Sequence, residues 1–579
     1  MNRLKESLKF IGQQLKRSIE RFPLTLGLTA LFMIGAITLT HADYNVSYRE
    51  FLERILFALA IGIPLTASIN LFVERLSLTG AKMFASHGTA ILLTFVYYLT
   101  IPKDYSNYFV MRFAALWAIM FLAFLIVPYF YKREGLSRYV LYLAGRFFLT
   151  ALYAGVIYGG ISMMIFTIEQ LFNVTWVDEI YLDLFIIIAG AFGVTHFLGS
   201  VPESQVDLEI SNYSKIFKSL FLYIVLPIVS VYTVILYAYF VKILFSFNLP
   251  DGIIGNLVLW YATVSVATLF FVRDLRSEVS WLARYYKIYI PLMSIPLAML
   301  FVAIGIRINA YGLTMPRYFV VALAIFSTIS LVVMWFKKND TAVVTMLLLV
   351  TFISLSFFGI ISGYNLTLND QLGRLETLLE SNGMMDSQGK IVPNNQVPAE
   401  QQNLISEKID FLYRSYELED LTLLPEGFTP SEAKQYLGFE MQYYWSGDSM
   451  DQYFNYYTKG YGNAIALEGA DYLITTNYYE ALNKMEIGQS YTISKDQEKG
   501  MIQIYQGESL VFEIDATTAA AAFYLNQDQK VVVFSADGTM KATLDFVSID
   551  GRITSEGVAT VPTDLLIQSF EVRILLDVE

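Results

Sequence analysis

The chain opens on a run whose apolar residues recur at steps of three and four: Leu4, Leu8, Ile11, Leu15, Ile19 and Phe22. Lys5, Lys9, Lys16 and Arg17 lie off that stripe, the pattern of an amphipathic helix lying in a membrane interface. From residue 22 the pattern changes. Apolar residues no longer mark one face but fill whole segments: 22–40, 55–73, 85–102, 109–131, 140–166, 180–200, 217–245, 253–272, 288–306, 318–336 and 342–362. A hydrocarbon core about 30 Å thick needs about 20 apolar residues per helix, so eleven transmembrane helices joined by short loops are predicted. The first apolar run is longer than a signal-peptide core and is read as an uncleaved first helix.

After residue 362 the periodicity returns. Leu366, Leu368, Leu372, Leu375, Leu378 and Leu379 give a helical stripe, and Gly389, Pro393 and Pro398 mark a polar linker from 386 to 398. A second amphipathic helix is predicted over 399–416 with Leu404, Ile405, Ile409 and Leu412 inward, and Pro430 opens a short third one ending near Leu437. From about 440 the texture is that of strands. Tyrosines crowd 443–461, and strands are expected at 463–468, 472–476, 490–494, 501–505, 509–515, 530–535, 541–548 and 570–576. Asp537-Gly538 and Asp550-Gly551 read as turns. The expected fold class is a polytopic α-helical membrane protein with a C-terminal extracytoplasmic α+β domain, its last part a β-sandwich or small barrel. Four regions follow: a cytoplasmic amphipathic basic tail (1–21), the transmembrane body (22–362), a helical connector (363–439) and a β-rich extracytoplasmic domain (440–579).

Composition agrees with this division, and charge refines it. Of 579 residues, 55% are hydrophobic and only 16% charged, far from the average soluble chain. The net charge of -12 is a sum of opposites. Residues 363–579 hold 13 Lys+Arg against 33 Asp+Glu, whereas residues 1–362 hold 27 against 19. Within the body, the tail and even-numbered loops carry 19 basic residues and the odd-numbered loops five. The positive-inside rule then puts the N-terminus in the cytoplasm. Eleven spans carry the acidic C-terminal domain to the other side of a bacterial cytoplasmic membrane. Disorder, nucleic-acid binding and cytosolic enzymes fit poorly.

Chemistry is sparse. There is no cysteine, and His41, His87 and His196 lie far apart, so thiolate sites and histidine-rich metal sites are not expected. No nucleophile elbow, phosphate-binding loop, zincin helix or calcium loop is present, and no cofactor is implied. Ionisable residues inside the spans sit near their ends: Arg112, Asp183 and Lys242 at the outer boundary, Arg146 and His196 nearer the inner one. With Arg307 and Arg317, the outer residues form a candidate pocket for an anionic lipid headgroup or a carboxylated or phosphorylated solute. Interfacial anchoring is the competing explanation. Prolines at 64, 128, 227, 291 and 296 lie inside spans, and the pair Pro291 and Pro296 marks the helix most prone to bend.

Certain runs around that helix have a familiar form. Ile290-Pro291-Leu292, Gly305-Ile306-Arg307-Ile308, Tyr311-Gly312-Leu313-Thr314 and Arg317-Tyr318, with Ile235-Leu236-Tyr237-Ala238-Tyr239, Lys242-Ile243-Leu244 and Leu249-Pro250, are the residues in question. Together they resemble the uncharacterised bacterial multi-pass membrane proteins grouped as domain-of-unknown-function family 4153. The resemblance implies membrane location and architecture and no assigned reaction. Read from the residues themselves, Gly312 permits a turn with positive φ and Pro316 holds Met315 extended. Arg307 and Arg317 bracket that turn. With Tyr311 and Thr314 they offer either an anion site or a dock for the acidic domain, and the charge asymmetry favours the dock.

Two function classes follow. The leading one is a non-enzymatic envelope protein, a helical body displaying an outer interaction domain, with transporter-like handling of an anionic solute or lipid by the body. The other is a membrane-embedded enzyme acting on lipid-linked substrates at the outer leaflet. Expected partners are the lipid bilayer, an anionic lipid or solute, and an envelope protein bound through the C-terminal domain.

Overall fold

The computed structural model describes residues 2–42, 46–103, 105–129, 135–172, 179–203, 215–246, 253–337, 341–425, 427–441, 452–457, 470–477, 482–488, 490–495, 500–525, 530–553 and 565–578. The chain divides into two compact units, Met1–Arg374 and Leu375–Glu579.

The first unit is helical throughout. The basic tail forms α1 (Asn2–Arg21), and the apolar segments follow as α2 (Pro23–Thr40), α3 (Arg49–Arg75), α4 (Ala81–Thr100), α5 (Asn107–Ile126) and α6 (Leu136–Phe172). Next come α7 (Ile180–Gly199), which contains a π-helical stretch, α8 (Lys215–Ile243) and α9 (Ile253–Val272). α10 (Ser280–Leu292) and α11 (Ser294–Tyr311) form one interrupted span, followed by α12 (Met315–Phe336) and α13 (Thr341–Phe357). Among the described residues, ten helices are long and apolar enough to cross a membrane. The eleventh expected span is α13, apolar but only 17 residues long, at the lower limit for crossing.

The end of α1 is held by polar contacts. Ser18 is fully buried while Ile19 is exposed, and a Cβ on Gly199 would come within 2.3 Å of the Gln14 carbonyl oxygen. Arg21 forms a double hydrogen bond with Glu74 (2.7 and 2.6 Å) and donates to the carbonyls of Val201 and Pro202. Arg17 pairs with Glu203 at 2.8 Å. The C-terminal end of the tail is thus built against the helices α3 and α7.

α14 (Gly363–Ser381) carries the chain across the boundary between the units. α15 (Ala399–Ser415) buries Ile405, Ile409 and Leu412 as expected, but Leu404 is exposed, one position round the helix from the buried stripe. α16 (Ala433–Leu437) ends at Gly438 in the left-handed conformation.

The rest of the second unit is two antiparallel sheets. One has the order β1 (Gln452–Tyr457), β8 (Met540–Ile553), β9 (Leu565–Val578), β2 (Tyr472–Asn477), with β7 (Val531–Phe534) also paired to β8. The other is the meander β3 (Leu482–Ile487), β4 (Tyr491–Lys495), β5 (Met501–Gln506) and β6 (Ser509–Asp515). Both sheets and α17 (Ala516–Leu525) share one core, with Ile474, Ile493, Ile504, Phe523, Phe546 and Phe570 in it.

Some local expectations change. Asp550-Gly551 is not a turn: it lies within β8, paired to Asn455 and Phe454 on one side and to Ser569 and Ile567 on the other, where the register slips. Glycine there serves a bulge. β1, β3 and α17 were not foreseen. α17 is started by Asp515, whose carboxylate accepts from Thr517 N and Thr518 N at 3.1 and 3.0 Å, an N-cap. The expected strand at 463–468, and half of the tyrosines of 443–461, lie outside the described residues.

Candidate functional site

The turn after α11 is the most organised polar feature of the helical unit. α11 ends at Tyr311 and α12 begins at Met315, so carbonyls at one helix end and amides at the next need partners. α14 supplies them. Asp370 Oδ2 accepts from Leu313 N (2.7 Å), and Gln371 Nε2 donates to Leu313 O (2.8 Å). Arg374 Nη2 donates to Ile308 O at 3.0 Å while its Nε donates to Asp370 at 3.1 Å. A guanidinium on the last carbonyls of a helix also complements the helix dipole. From its own side of the turn, Arg317 Nη1 donates to Gly312 O (2.7 Å), with its guanidinium 5.4 Å over the Tyr311 ring.

Gly312 makes this clasp possible. Its φ is +84°, and a Cβ there would lie 2.5 to 2.8 Å from Gln371 Nε2, Arg374 Nε and Asp370 Oδ2. The start of α14 is held as closely. A Cβ on Gly363 would lie 2.7 Å from the Tyr318 ring, whose hydroxyl donates to Ile361 O at 2.7 Å. Tyr108 stacks on Tyr364 at 4.0 Å and donates to Phe357 O.

The expected site residues fall into several neighbourhoods. Arg317 and Tyr311 meet in the clasp, and Thr314 is the residue before α12. Arg112 lies at the α13–α14 junction, its guanidinium 5.2 Å from the Phe358 ring and 5.6 Å from that of Tyr108. Asp183 is engaged elsewhere, accepting from His41 Nε2 (2.6 Å) and Thr40 Oγ1 (3.2 Å). Its hydrogen bond raises the pKa of the exposed His41 above 6.5. Exposed Lys242 and half-buried Arg307 make no hydrogen bond or ion pair among the described residues. Nor does any contact there join Arg112, Asp183 and Lys242. The carboxylate that meets the turn is Asp370, which accepts from Leu313 N and from Arg374 Nε.

A second polar centre was not foreseen. Thr233 Oγ1 and Tyr261 OH lie 2.7 Å apart, Tyr289 OH donates to Tyr261 OH at 3.1 Å, and Ser265 Oγ is 2.8 Å from Tyr289 OH. These buried hydroxyls join α8, α9 and α10, where lipid offers no alternative partners. Next to them lies the break between α10 and α11. Pro296 has no N–H for the carbonyl of Leu292 four residues back, and Tyr237 OH donates to that carbonyl at 2.6 Å. Ser294 Oγ donates to Pro291 O at the same distance. The two stretches singled out in sequence, around Tyr237 and around Pro291, are therefore one structural feature. The only sequence signal for it was the proline pair. A hydropathy reading treats tyrosine as apolar filling.

Among the described residues, no group of three histidines or carboxylates is placed to hold a metal ion. No solved structure matches the chain. It is similar to an uncharacterized protein of Pasteurella multocida (strain Pm70), 28% identical over 311 residues covering 52% of this chain and 51% of the relative. The chain thus spans about half the length of the curated relative it matches. Residues 27–383 match the family described as Domain of unknown function (DUF4153). That stretch holds the clasped turn, the tyrosine centre and all of α14, and the chain belongs to this family of multi-helix membrane proteins.

Proposed function

We propose that the chain is a non-enzymatic integral membrane protein of the bacterial envelope whose helical body displays the C-terminal unit as an interaction domain outside the cytoplasm. One observation carries this reading. α14, the helix that leads into the C-terminal unit, is fastened to the body through Asp370, Gln371 and Arg374 on the main chain of 308–313. A mount of this kind suits presentation of a module. The charge asymmetry of the loops supports the orientation.

The absence of native cysteine makes the test direct. Val532→Cys on the exposed face of β7 is expected to react with a membrane-impermeant maleimide in intact cells, and Lys337→Cys only after permeabilisation. The reverse pattern sinks the orientation. Crosslinkers placed at Val532→Cys and Leu510→Cys are expected to give a discrete adduct in intact cells. No adduct from either sheet counts against display.

A second role, transporter-like handling of an anionic solute or lipid by the body, draws support from the broken α10–α11 span beside a polar centre. A spin-label distance between positions 281 and 306 that never changes with added anionic lipid counts against it.

A further inference from the structure

At the end of α12 opposite the clasp is a cavity of about 580 Å³, within the range of ligand sites. Among the described residues it is lined by Arg138, Arg273, Arg276, Lys287 and Lys337, by the carboxylate of Asp274, and by an apolar wall that includes Ile290, Met334 and Trp335. α12 is 22 residues long, so about 30 Å of helix separates this cavity from the turn at Gly312. We propose that it binds the phosphate of an anionic phospholipid.

Charge carries the argument. Among the described residues five cations face the cavity, and the one carboxylate there is already engaged: Asp274 Oδ2 accepts from Ser137 Oγ at 2.6 Å and Arg138 Nε at 3.3 Å. Lys287 and Lys337 have no ion-pair or hydrogen-bond partner among the described residues. Gathering like charges beside a membrane is unfavourable unless an anion joins them. Arg276 is prepared for such a ligand. Its guanidinium stands 4.7 Å over the Tyr286 ring and its Nε donates to Arg273 O, which orients a planar fork suited to phosphate oxygens. The wall decides the source of the phosphate. Ile290 and Met334 are buried, whereas Trp335, at the end of a spanning helix, is 44% exposed. A soluble phosphate ester makes no use of such a wall, but the glycerol and upper acyl region of a lipid does. Basic pockets between spanning helices are suited to anionic headgroups.

The competing account is that these residues only set topology, as positive loops do, and it makes a different prediction. The purified full chain is titrated with brominated phosphatidylglycerol or brominated phosphatidylcholine while tryptophan fluorescence is followed, with Trp335→Phe identifying the reporting residue. Saturable quenching of Trp335 by phosphatidylglycerol is expected at concentrations where phosphatidylcholine has no effect. The triple variant Arg276→Gln/Lys287→Gln/Lys337→Gln is expected to bind about a hundredfold more weakly. Lys16→Gln/Lys82→Gln, a control for basic residues outside the cavity, should bind normally, and thermal unfolding of both variants reports folding. Displacement of the lipid by glycerol 3-phosphate at comparable concentration transfers the site to a soluble phosphate ester and overturns the lipid assignment. Equal quenching by both lipids, or equal loss in the control variant, overturns the site.

Discussion

The helical unit turns far more large apolar side chains outward than the C-terminal unit does. In the helical unit large apolar side chains face outward, Ile228 at 61% exposure and Phe245 at 84%, while Ser265, Ser327 and Ser330 are fully buried. In the C-terminal unit the arrangement is the familiar one, with Ile493, Ile502 and Phe546 fully buried. The difference lies in the solvent. Lipid is as apolar as leucine, so burying an apolar side chain between spanning helices gains packing but no transfer out of water. Cohesion there rests on close approach, as at Gly199 and Gly312, and on ion pairs and those hydroxyls, such as Ser265, that find partners. In the C-terminal unit the exclusion of water does the greater part.

That contrast breaks first at the cores. Phe546 packs against Phe523 and Phe570 at 5.3 and 5.8 Å, and Phe546→Ala is expected to destabilise the C-terminal unit by about 3–5 kcal/mol. Leu269→Ala, also at a fully buried position, is expected to cost the helical unit clearly less, since only packing is lost. Thermal unfolding of the full chain in bilayer nanodiscs, followed separately by a reporter in each unit, checks this. Equal losses would remove the distinction between the two solvents.

Outward faces give the converse. Ile228 sits near the middle of α8, and Ile228→Asp is expected to cost about 2.5–3.5 kcal/mol of insertion. Val532→Asp, on the exposed face of β7, should stay within about 0.5 kcal/mol of the parent. A glycosylation-mapped insertion assay reads the first and thermal unfolding the second. A neutral Ile228→Asp would mean that this face of α8 does not meet lipid.

The same contrast explains what was legible in sequence. Every apolar segment became a helix, because uncharged runs of that length state their environment directly. Most strands were legible from alternation, but β1 and β3 were not: β1 lies in a tyrosine-crowded run without clear alternation, and Lys484 and Glu486 interrupt the apolar signal of β3. α17 was hidden in an alanine-rich run without a period, although Asp515 before two threonines was a usable cap signal. The site was half legible. Gly312, Arg317 and Tyr311 stood out, but Asp370, Gln371 and Arg374, which bond the main chain of Ile308 and Leu313, lie 57 to 66 positions from those atoms, in a helix whose sequence signal is its leucines. Hydropathy reports which face is buried and carries no information about which polar atoms meet. The turn bracketed by Arg307 and Arg317 was legible, but the carboxylate that meets its main chain, Asp370, was not.

The clasp itself supplies the next test. Gly312→Ala forces an L-residue to positive φ and intrudes on three polar groups, so a loss of about 1–3 kcal/mol is expected. Proteolysis within α14 should become faster if the clasp holds that helix, and unchanged cleavage would argue that it does not. A smaller effect is expected at the tyrosine centre. Tyr289→Phe removes one hydroxyl from a chain whose other members still have partners, and about 0.6 kcal/mol is typical of such pairs in membranes.

The smallest effect separates the units by sign. Asp537 closes the β7–β8 turn, accepting from Ser535 Oγ at 2.6 Å and from Thr539 N and Oγ1 at 3.1 and 2.8 Å. These bonds lower its pKa from 3.8 to about 2. A lowered carboxylate contributes stability that is present above the unfolded value and is lost as pH falls through the folded one, so the turn should loosen between about pH 4 and 2. His41 is the opposite case. Its pKa is raised above 6.5 by Asp183, so the contact is fully present below 6.5 and is lost as pH rises through the folded value. Acid should therefore weaken a turn in the C-terminal unit, and alkali a contact between α2 and α7. Hydrogen exchange at Thr539 and at residues 40–42 across the two pH ranges reads both, and Asp537→Asn and His41→Gln should each flatten one profile and leave the other intact. If either substitution flattened both, the two contacts would share a cause, and the division of the chain into independently held units would fail at its most sensitive point.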